Sequence, residues 1–505
     1  MEEIKDRSFD DKVVQMHTYL DENIVRNDDI YSVVNTTLTL NPNTSNFPEE
    51  FLFKRYRKEN KLKLFIFNIA KFYALSMCRV LSFVQTLLYY RVLYSKPRNN
   101  IDESTVNLDV FFLVDKIVKE GEFHENYFSS LYKTLEKKNV DFVFIPRLFG
   151  LSLNPIKTHR QLKSFFNVIN NSNYDFLFEH DFFKFRDLIS LNWMITCYPF
   201  KTLRFKVKER NLEDRIFNKN LLKDIGSQSI VPFTRYIFGK HVSKLKNLNK
   251  IYSWSEFQSL ERSFNYAIRK NGATKVYACQ FNARSSVYFS SYIRDRDELA
   301  GYAPHRVYVN GKNYLLEENS VDYRLGVSLR YRNIFYYDLK KNSNSSKALL
   351  LGSFSHSKNK LILNWARDMR DLTFKGHPSS CTESLENYMP KKCNIVNGNI
   401  YDLFPKVGVV IGVASGSLLE AVACGISVIV LGKKDELIFN PLVDFGKGRI
   451  WDIAFSKVEL ESKYRELLSY RMENQDELHA IANWYRDNFF IEPTEEAITR
   501  IFEIN

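Results

Sequence analysis

Residues 409–432 read VVIGVASGSLLEAVACGISVIVLG. Two apolar runs rich in Val and Ile flank a turn of Ala, Ser and Gly and a short helical pattern. Strands that are apolar throughout, instead of alternating, belong to a parallel sheet covered on both faces. Parallel neighbours need a crossover, which the LLEAVACG segment supplies as a helix. The stretch therefore predicts a βαβ unit, and the same grammar extends outward from it. ALLLGSF, HSKNKLILNWARDMRD and LTFKGHP read as strand, helix and strand, and a polar linker, KKNSNSSK at 340–347, precedes them. Before the linker come NLDVFFLVD (strand), HENYFSSLYKTLEKKN (helix) and VDFVFIPRLFG (strand). SWSEFQSLERSFNYAIRKNG then reads as a helix stopped by Gly272, with TKVYACQF and HRVYVNG as further strands. The expected architecture is α/β, with two successive domains built on parallel sheets. Its divisions are an N-terminal extension over 1–106, a first domain over 107–342 and a second over 343–505.

Composition narrows the function. The chain has 505 residues, 45% hydrophobic and 26% charged, which describes two globular cores and excludes a disordered chain. A net charge of +13 suits an anionic partner: nucleic acid, an acidic membrane or a phosphorylated or carboxylated substrate. No module interleaving aromatics with Lys and Arg for base stacking is present, so no nucleic-acid partner is expected. The six cysteines lie far apart without CxxC, which fits a reduced, cytoplasmic chain, and the acidic start MEEIKDRSFDDK does not read as a secretory signal. Residues 61–98 are strongly apolar, yet Lys71, Arg79 and Arg91 interrupt them, and the longest uncharged run, Val80–Tyr90, is too short to cross a bilayer. Two readings stay open: a buried helix pair, or a helix in the membrane interface with its cations on anionic headgroups.

Two turns carry the chemistry. FKGHPSS at 374–380 ends a strand with His377 held extended by Pro378, at the carboxyl edge where open α/β sheets bind ligands. The turn before LLEAVACG offers Ser415, Gly416 and Ser417 to a phosphate, although Ser417 and Glu420 also fit a capping box that merely satisfies a helix start. Together the turns could place an imidazole and two hydroxyls around one phosphate leaving group. Asp295-Arg-Asp297 has a metal-binding DxD form, but it reads as a solvated helix end, so no metal is expected.

The order [KR]-x-HP, then YDLF at 401–404, then S-G-S-x-x-E-A resembles the donor-binding domain of GT-B glycosyltransferases. It is most similar to those of bacterial surface-carbohydrate biosynthesis that use CMP-linked nonulosonic or Kdo-type sugars. YSWSEFQSLERSFNYAIRKNG, KVYACQFN and YAPHRVYVNG are similar to the W-x-E-x-Q…E…Q…P-x-x-V-x-x-G pattern of that group, with Asn282 where the pattern has a histidine. The resemblance covers roughly residues 108 to 455 and implies a GT-B fold, two Rossmann-like domains whose parallel sheets face a central cleft. It implies a metal-independent, inverting transferase that needs no cofactor beyond its nucleotide-sugar donor, with a lipid-linked or oligosaccharide acceptor and peripheral contact at the inner face of the plasma membrane. Lys375, His377, Pro378, Ser415, Gly416, Ser417 and Glu420 would bind the donor. His377 would also favour departure of the nucleotide, and Glu256 or, second, Asp181 would be the base, with a weaker claim for Glu261. A CDP-polyol phosphate transferase and a noncatalytic scaffold of a polysaccharide pathway are the rival readings.

Overall fold

The structure, a computed structural model, describes residues 2–25, 29–96, 102–119, 122–316, 319–342, 345–377 and 383–504. Pro378 and the expected division at 343 lie outside the described residues. The strands of the first half are β1 (Val106–Leu113), β2 (Val118–Lys119), β3 (Glu122–Phe123), β4 (Phe142–Phe149), β5 (Asp175–Phe176), β6 (Lys250–Trp254), β7 (Lys275–Gln280), β8 (Arg306–Val309) and β9 (Tyr323–Leu325). Apart from the small antiparallel pair β2–β3, they form one sheet in the order β5-β4-β1-β6-β7-β8-β9, parallel throughout.

The second half contributes β10 (Ala348–Leu351), β11 (Leu372–Lys375), β12 (Cys393–Ile395), β13 (Val409–Gly412), β14 (Ser427–Leu431) and β15 (Trp451–Ala454). Their order is β12-β11-β10-β13-β14-β15, again all parallel. Every residue of β10, β13 and β14 is buried, as their unbroken apolar runs require of a sheet covered on both faces. The protein is thus an α/β chain of two Rossmann-like domains whose sheets meet at a central cleft, the GT-B arrangement.

Each sheet reverses its winding once. In the first, the chain steps from β1 outward to β4 and then returns to the other side of β1 with β6; in the second, it does the same about β10, with β11 on one side and β13 on the other. Crevices at the carboxyl ends of strands open at such reversals, and ligands of doubly wound sheets sit there.

Three expectations need correction. Residues 1–106 are not an appended piece, because Met16, Leu20, Val33, Phe47 and Phe72 share one core with Val143, Ile145 and Ile251 of the first sheet. Their helices are that sheet's covering layer. The second domain does not run to the end of the chain either: Ile498, Ile501 and Phe502, in and just after the Glu495–Ile501 helix, are buried with Leu108, Val110 and Tyr252 on the other face of the first sheet. Finally, the apolar segment is one continuous helix, Lys61–Leu93, and not a pair. Length and composition would let it cross a membrane, but it lies lengthwise on the Pro155–Asn171 and Leu212–Ile225 helices. Asn68, Phe72, Ser76, Thr86, Leu87 and Tyr90 form its inward face, while Leu62, Ile66, Met77, Leu81, Leu88 and Val92 face outward.

Candidate functional site

A cleft of about 500 Å³ opens between the two domains. From the second domain its wall takes His377, two residues after β11, and Ala414 to Ser417, directly after β13. These strands flank β10 on its two sides, so residues forty positions apart in the chain become neighbours across one strand. Gly352, just past β10, lets the two turns lie close: a Cβ there would meet the His377 backbone nitrogen at 3.1 Å and Gly376 Cα at 3.2 Å. The His377 ring is half-buried, edge-on to Phe354 at 6.2 Å. Burial, and then the charges of Lys116 and Arg330, pull its pKa below the ordinary histidine value, which leaves a neutral imidazole near pH 7.

The turn after β13 is strained. Ala414 holds φ at 54°, a left-handed conformation unusual for a residue with a Cβ. The capping-box reading of this turn does not hold. Gly416 is the cap, without a side-chain bond, and Ser417 begins the Ser417–Ala423 helix. Ser417 Oγ donates instead to Glu420 Oε1 at 3.0 Å, and the Tyr401 hydroxyl donates to Glu420 Oε2. At seven residues the helix contributes little dipole. The turn's capacity for an anion therefore rests on its hydroxyls and on groups from the opposite wall.

That opposite wall comes from the first domain. Glu256, which the sequence placed in a helix, stands in the loop between β6 and the Ser259–Asn271 helix. The helix is capped by Glu261, whose Oε2 accepts from the Gln258 backbone N–H at 2.8 Å. Glu256 is left half-buried on the cleft wall, its Oε2 accepting from Gln258 Nε2 at 2.9 Å. Phe257 between them carries φ of 56°, so a strained bulky residue occurs here as well. Strain at facing turns on both walls is what a site over-determined by its surroundings shows.

The two walls nearly touch. A Cβ on Gly416 would stand 3.1 Å from Ala283 Cβ and 3.3 Å from Ala283 O, so only glycine lets the two turns come this close. Ala283 N–H in turn donates to the Tyr331 hydroxyl at 2.8 Å.

Of the expected residues, Glu256, His377, Ser415, Gly416, Ser417 and Glu420 line this one cleft. Lys375 does not; it ends β11 before the chain reaches the rim, and burial lowers its pKa. Asp181 lies elsewhere altogether, because its carboxylate is engaged within its own domain: Oδ2 accepts from the Phe178 N–H at 2.9 Å and Oδ1 from the Tyr90 hydroxyl. As a base for this cleft it is withdrawn. Glu261 is withdrawn too, being buried against Arg147 at 2.7 Å. Asp297 of the DxD form is wholly buried, paired with Arg262 at 3.1 Å and accepting from Tyr302 at 2.9 Å. Among the described residues, no cluster of His, Cys, Asp or Glu is arranged to hold a metal.

Sequence reasoning missed Arg330, the cation that faces this cleft from the segment joining the domains, and Arg284 beside it. Both sit in runs without motif spacing, and only the fold reveals them. Asn282, singled out as a departure from the family pattern, also lines the cleft, and its buried Oδ1 has no hydrogen-bond partner among the described residues.

No family model and no curated protein sequence matches the chain. Among solved structures it is similar to UDP-GlcNAc 2-epimerase from Neisseria meningitidis bound to UDP-GlcNAc, at 11% identity over 79% of this chain and 100% of that one, with a TM-score of 0.43. It is also similar to MurG from Acinetobacter baumannii (10% identity, 79% and 100%, TM-score 0.42) and to the wall teichoic acid polymerase TagF (9% identity, 89% and 97%, TM-score 0.38). Likenesses of this size say nothing about chemistry.

Proposed function

We propose that the cleft is the active site of a transferase that moves a group from a nucleotide-activated donor to a hydroxyl of a glycan acceptor. The observation that carries the reading is one cleft with a carboxylate, Glu256, on the first domain and an imidazole with two hydroxyls, His377, Ser415 and Ser417, on the second. Glu256 takes the proton of the acceptor hydroxyl as its oxygen attacks the donor carbon. The bond from that carbon to the phosphate oxygen breaks, and the electron pair leaves on the phosphate. His377 N–H, the Ser415 hydroxyl and Arg330 donate to the departing oxygens, a stabilisation that grows as the charge develops, while the Ser417 hydroxyl stays on Glu420. The Gln258 amide holds Glu256 in place. Glu420, tied to Ser417 and Tyr401, accepts from the ribose hydroxyls. Protein donors fill the role that a metal would otherwise have, and the favoured donor is a CMP-linked nonulosonic or Kdo-type sugar.

A second reading is transfer of a polyol phosphate from a CDP-linked donor, with attack at phosphorus. Arg330 on the cleft wall favours it, since a diphosphate carries the greater charge. Thermal-shift titration with CMP, CDP, UMP and UDP, followed by product analysis with CMP-sugar and CDP-glycerol donors, separates the two. Binding of no nucleotide at all would leave only a noncatalytic scaffold.

The enzyme acts at a membrane in this reading. The outward face of the Lys61–Leu93 helix adjoins the Phe185–Leu203 helix, which presents Phe185, Ile189, Trp193 and Phe200 to solvent. The long helix contains no Asp or Glu, and the one acid of its neighbour, Asp187, is buried against His241. An apolar stripe edged by Lys61, Lys63, Lys71, Arg91, Lys184 and Lys201 suits the surface of an anionic bilayer.

A further inference from the structure

A second cavity, of about 390 Å³, lies wholly within the first domain. It sits beside the reversal at β1, between the carboxyl halves of β1 and β4 and the start of the Ser259–Asn271 helix. Phe83, Phe111, Ile230 and Leu260 wall it, and its rim carries Phe149 and Leu153, exposed by 57% and 55%. Four charged or titratable side chains, Arg147, Glu179, His180 and Arg235, line its inner end.

Those polar groups are incompletely satisfied. Arg235 is 2% exposed, its guanidinium over the Phe264 ring; its Nη2 donates to both oxygens of Asp109, at 2.9 and 3.0 Å, while Nε and Nη1 have no hydrogen-bond partner among the described residues. His180 is 3% exposed, stacked on Phe83 at 5.2 Å, with neither ring nitrogen hydrogen-bonded among the described residues. Buried donors without partners are rare in folded proteins because each forfeits its hydration. Three such donors in one cavity, Arg235 Nε and Nη1 and the single N–H of the neutral His180 ring, call for an occupant with several acceptor oxygens. The charge balance agrees: Asp109 is shared by Arg147 and Arg235, and burial pushes Glu179 and Glu261 up to about 7, so the cavity's acids only partly offset its guanidiniums near neutral pH.

The geometry points to a second ligand site, in which Arg235 and His180 hold the anionic head of a single-chain amphiphile whose apolar tail leaves over Phe149 and Leu153. The tail would emerge beside the Lys61–Leu93 helix, which supplies Arg79, Ser82, Phe83 and Thr86 to the same cavity. This site goes beyond the transfer reading and does not depend on it. A run of hydrogen bonds joins the cavity to the cleft: Arg147 donates to Glu261, Glu261 accepts from the Gln258 backbone N–H, and the Gln258 side chain donates to Glu256.

The full chain is titrated calorimetrically with dodecyl phosphate, laurate, dodecanol and inorganic phosphate, the amphiphiles below their micellar concentrations. Dodecyl phosphate or laurate is expected to bind at least tenfold more tightly than dodecanol, and inorganic phosphate not measurably. Preference for the phosphate head identifies a lipid phosphate, and preference for the carboxylate a fatty acid. Arg235→Met should abolish the discrimination by head group. Because that variant strands Asp109, Phe149→Glu at the exposed rim provides a second measure and should weaken both amphiphiles at least tenfold. Equal affinity for dodecanol and dodecyl phosphate, or wild-type affinity in Phe149→Glu, overturns the proposal. CMP titrated alongside keeps the two readings apart: a chain that binds amphiphile but no nucleotide retains this site and loses the transferase.

Discussion

His377 and Glu256 face each other from different domains, and each supports a prediction. His377→Ala should lower turnover by about 10²–10³-fold, the usual loss of one donor to a developing oxyanion, with the melting temperature unchanged. Glu256→Gln keeps the shape and the Gln258 contact side but removes the base, so a loss of about 10²–10⁴ in kcat with little change in donor affinity is expected. Full turnover in either variant would exclude that residue. A third prediction concerns His180, whose pKa burial alone drives from 6.5 down to about 3. Above pH 6.5 folded and unfolded chains both carry it neutral. Below that, the unfolded chain takes up a proton that the folded one refuses, so stability falls with pH by about 1.4 kcal/mol per unit until about pH 3. His180→Phe removes this liability: from pH 7 to pH 5 its stability should gain about 2 kcal/mol relative to wild type in urea titrations. Parallel curves would show that the imidazole is not neutral when buried. Of these residues, His377 was legible because a strand, a glycine and a proline fix where it stands. Glu256 was legible as a residue but not as a loop residue, since Glu261 two positions into the helix imitates the same start signal. Arg330 had no local signature, because its role comes from the meeting of domains.

At the scale of elements, apolar strands were the readable part: a buried parallel strand is recorded in every one of its residues. Amphipathic faces were less so. Lys71, Arg79 and Arg91 made residues 61–98 look like two pieces, but charge counted along the chain is blind to direction. In the folded helix Lys71 and Arg91 lie in the exposed half, and Arg79 reaches the Ser229 hydroxyl. The face those cations border yields a prediction: Phe185→Glu combined with Trp193→Glu should abolish co-sedimentation with vesicles of phosphatidylglycerol and leave CMP affinity as in wild type. Release of the wild-type chain by salt marks a peripheral contact, whereas retention through alkaline carbonate would mean that the long helix inserts. The turn after β13 offers another. Gly416→Val places an isopropyl group where Ala283 already stands 3.1 Å from the ideal Cβ, so the two walls must part. Nucleotide affinity should fall at least tenfold, and Ala283→Gly in the same chain should restore part of it. Additive losses, without that coupling, would show that the turns do not bear on each other.

For the whole molecule, the sequence suggested two domains in series, and the chain instead closes on itself. The linker near 343 was visible in its composition. The return was not, because the IEPTEEAITRIFEI segment carries an ordinary helical pattern with nothing to say which sheet it covers. Its destination is set by the Gln475–Phe489 helix, which Arg486 anchors by donating to Ala423 O at 2.7 Å and to Tyr337 O at 3.0 Å, one carbonyl in the second domain and the other in the segment leading to it. From there the chain passes back beneath the first sheet, where the Phe502 ring lies 4.8 Å from that of Tyr252 on β6. β6 is the strand that ends in the Glu256 loop, so the last residues of the chain brace the element carrying the proposed base. Phe502 is 1% exposed, and truncating a buried aromatic typically costs about 3–5 kcal/mol. Phe502→Ala should therefore lower the unfolding midpoint of the first domain and loosen the β6 loop. Hydrogen exchange should rise over 250–258 while β13 and the turn at 414–417 stay protected. CMP affinity, resting mainly on the second domain, should change less than kcat. Uniform deprotection of both sheets would mean instead that the domains unfold as one unit, with the returning segment as the tie between them.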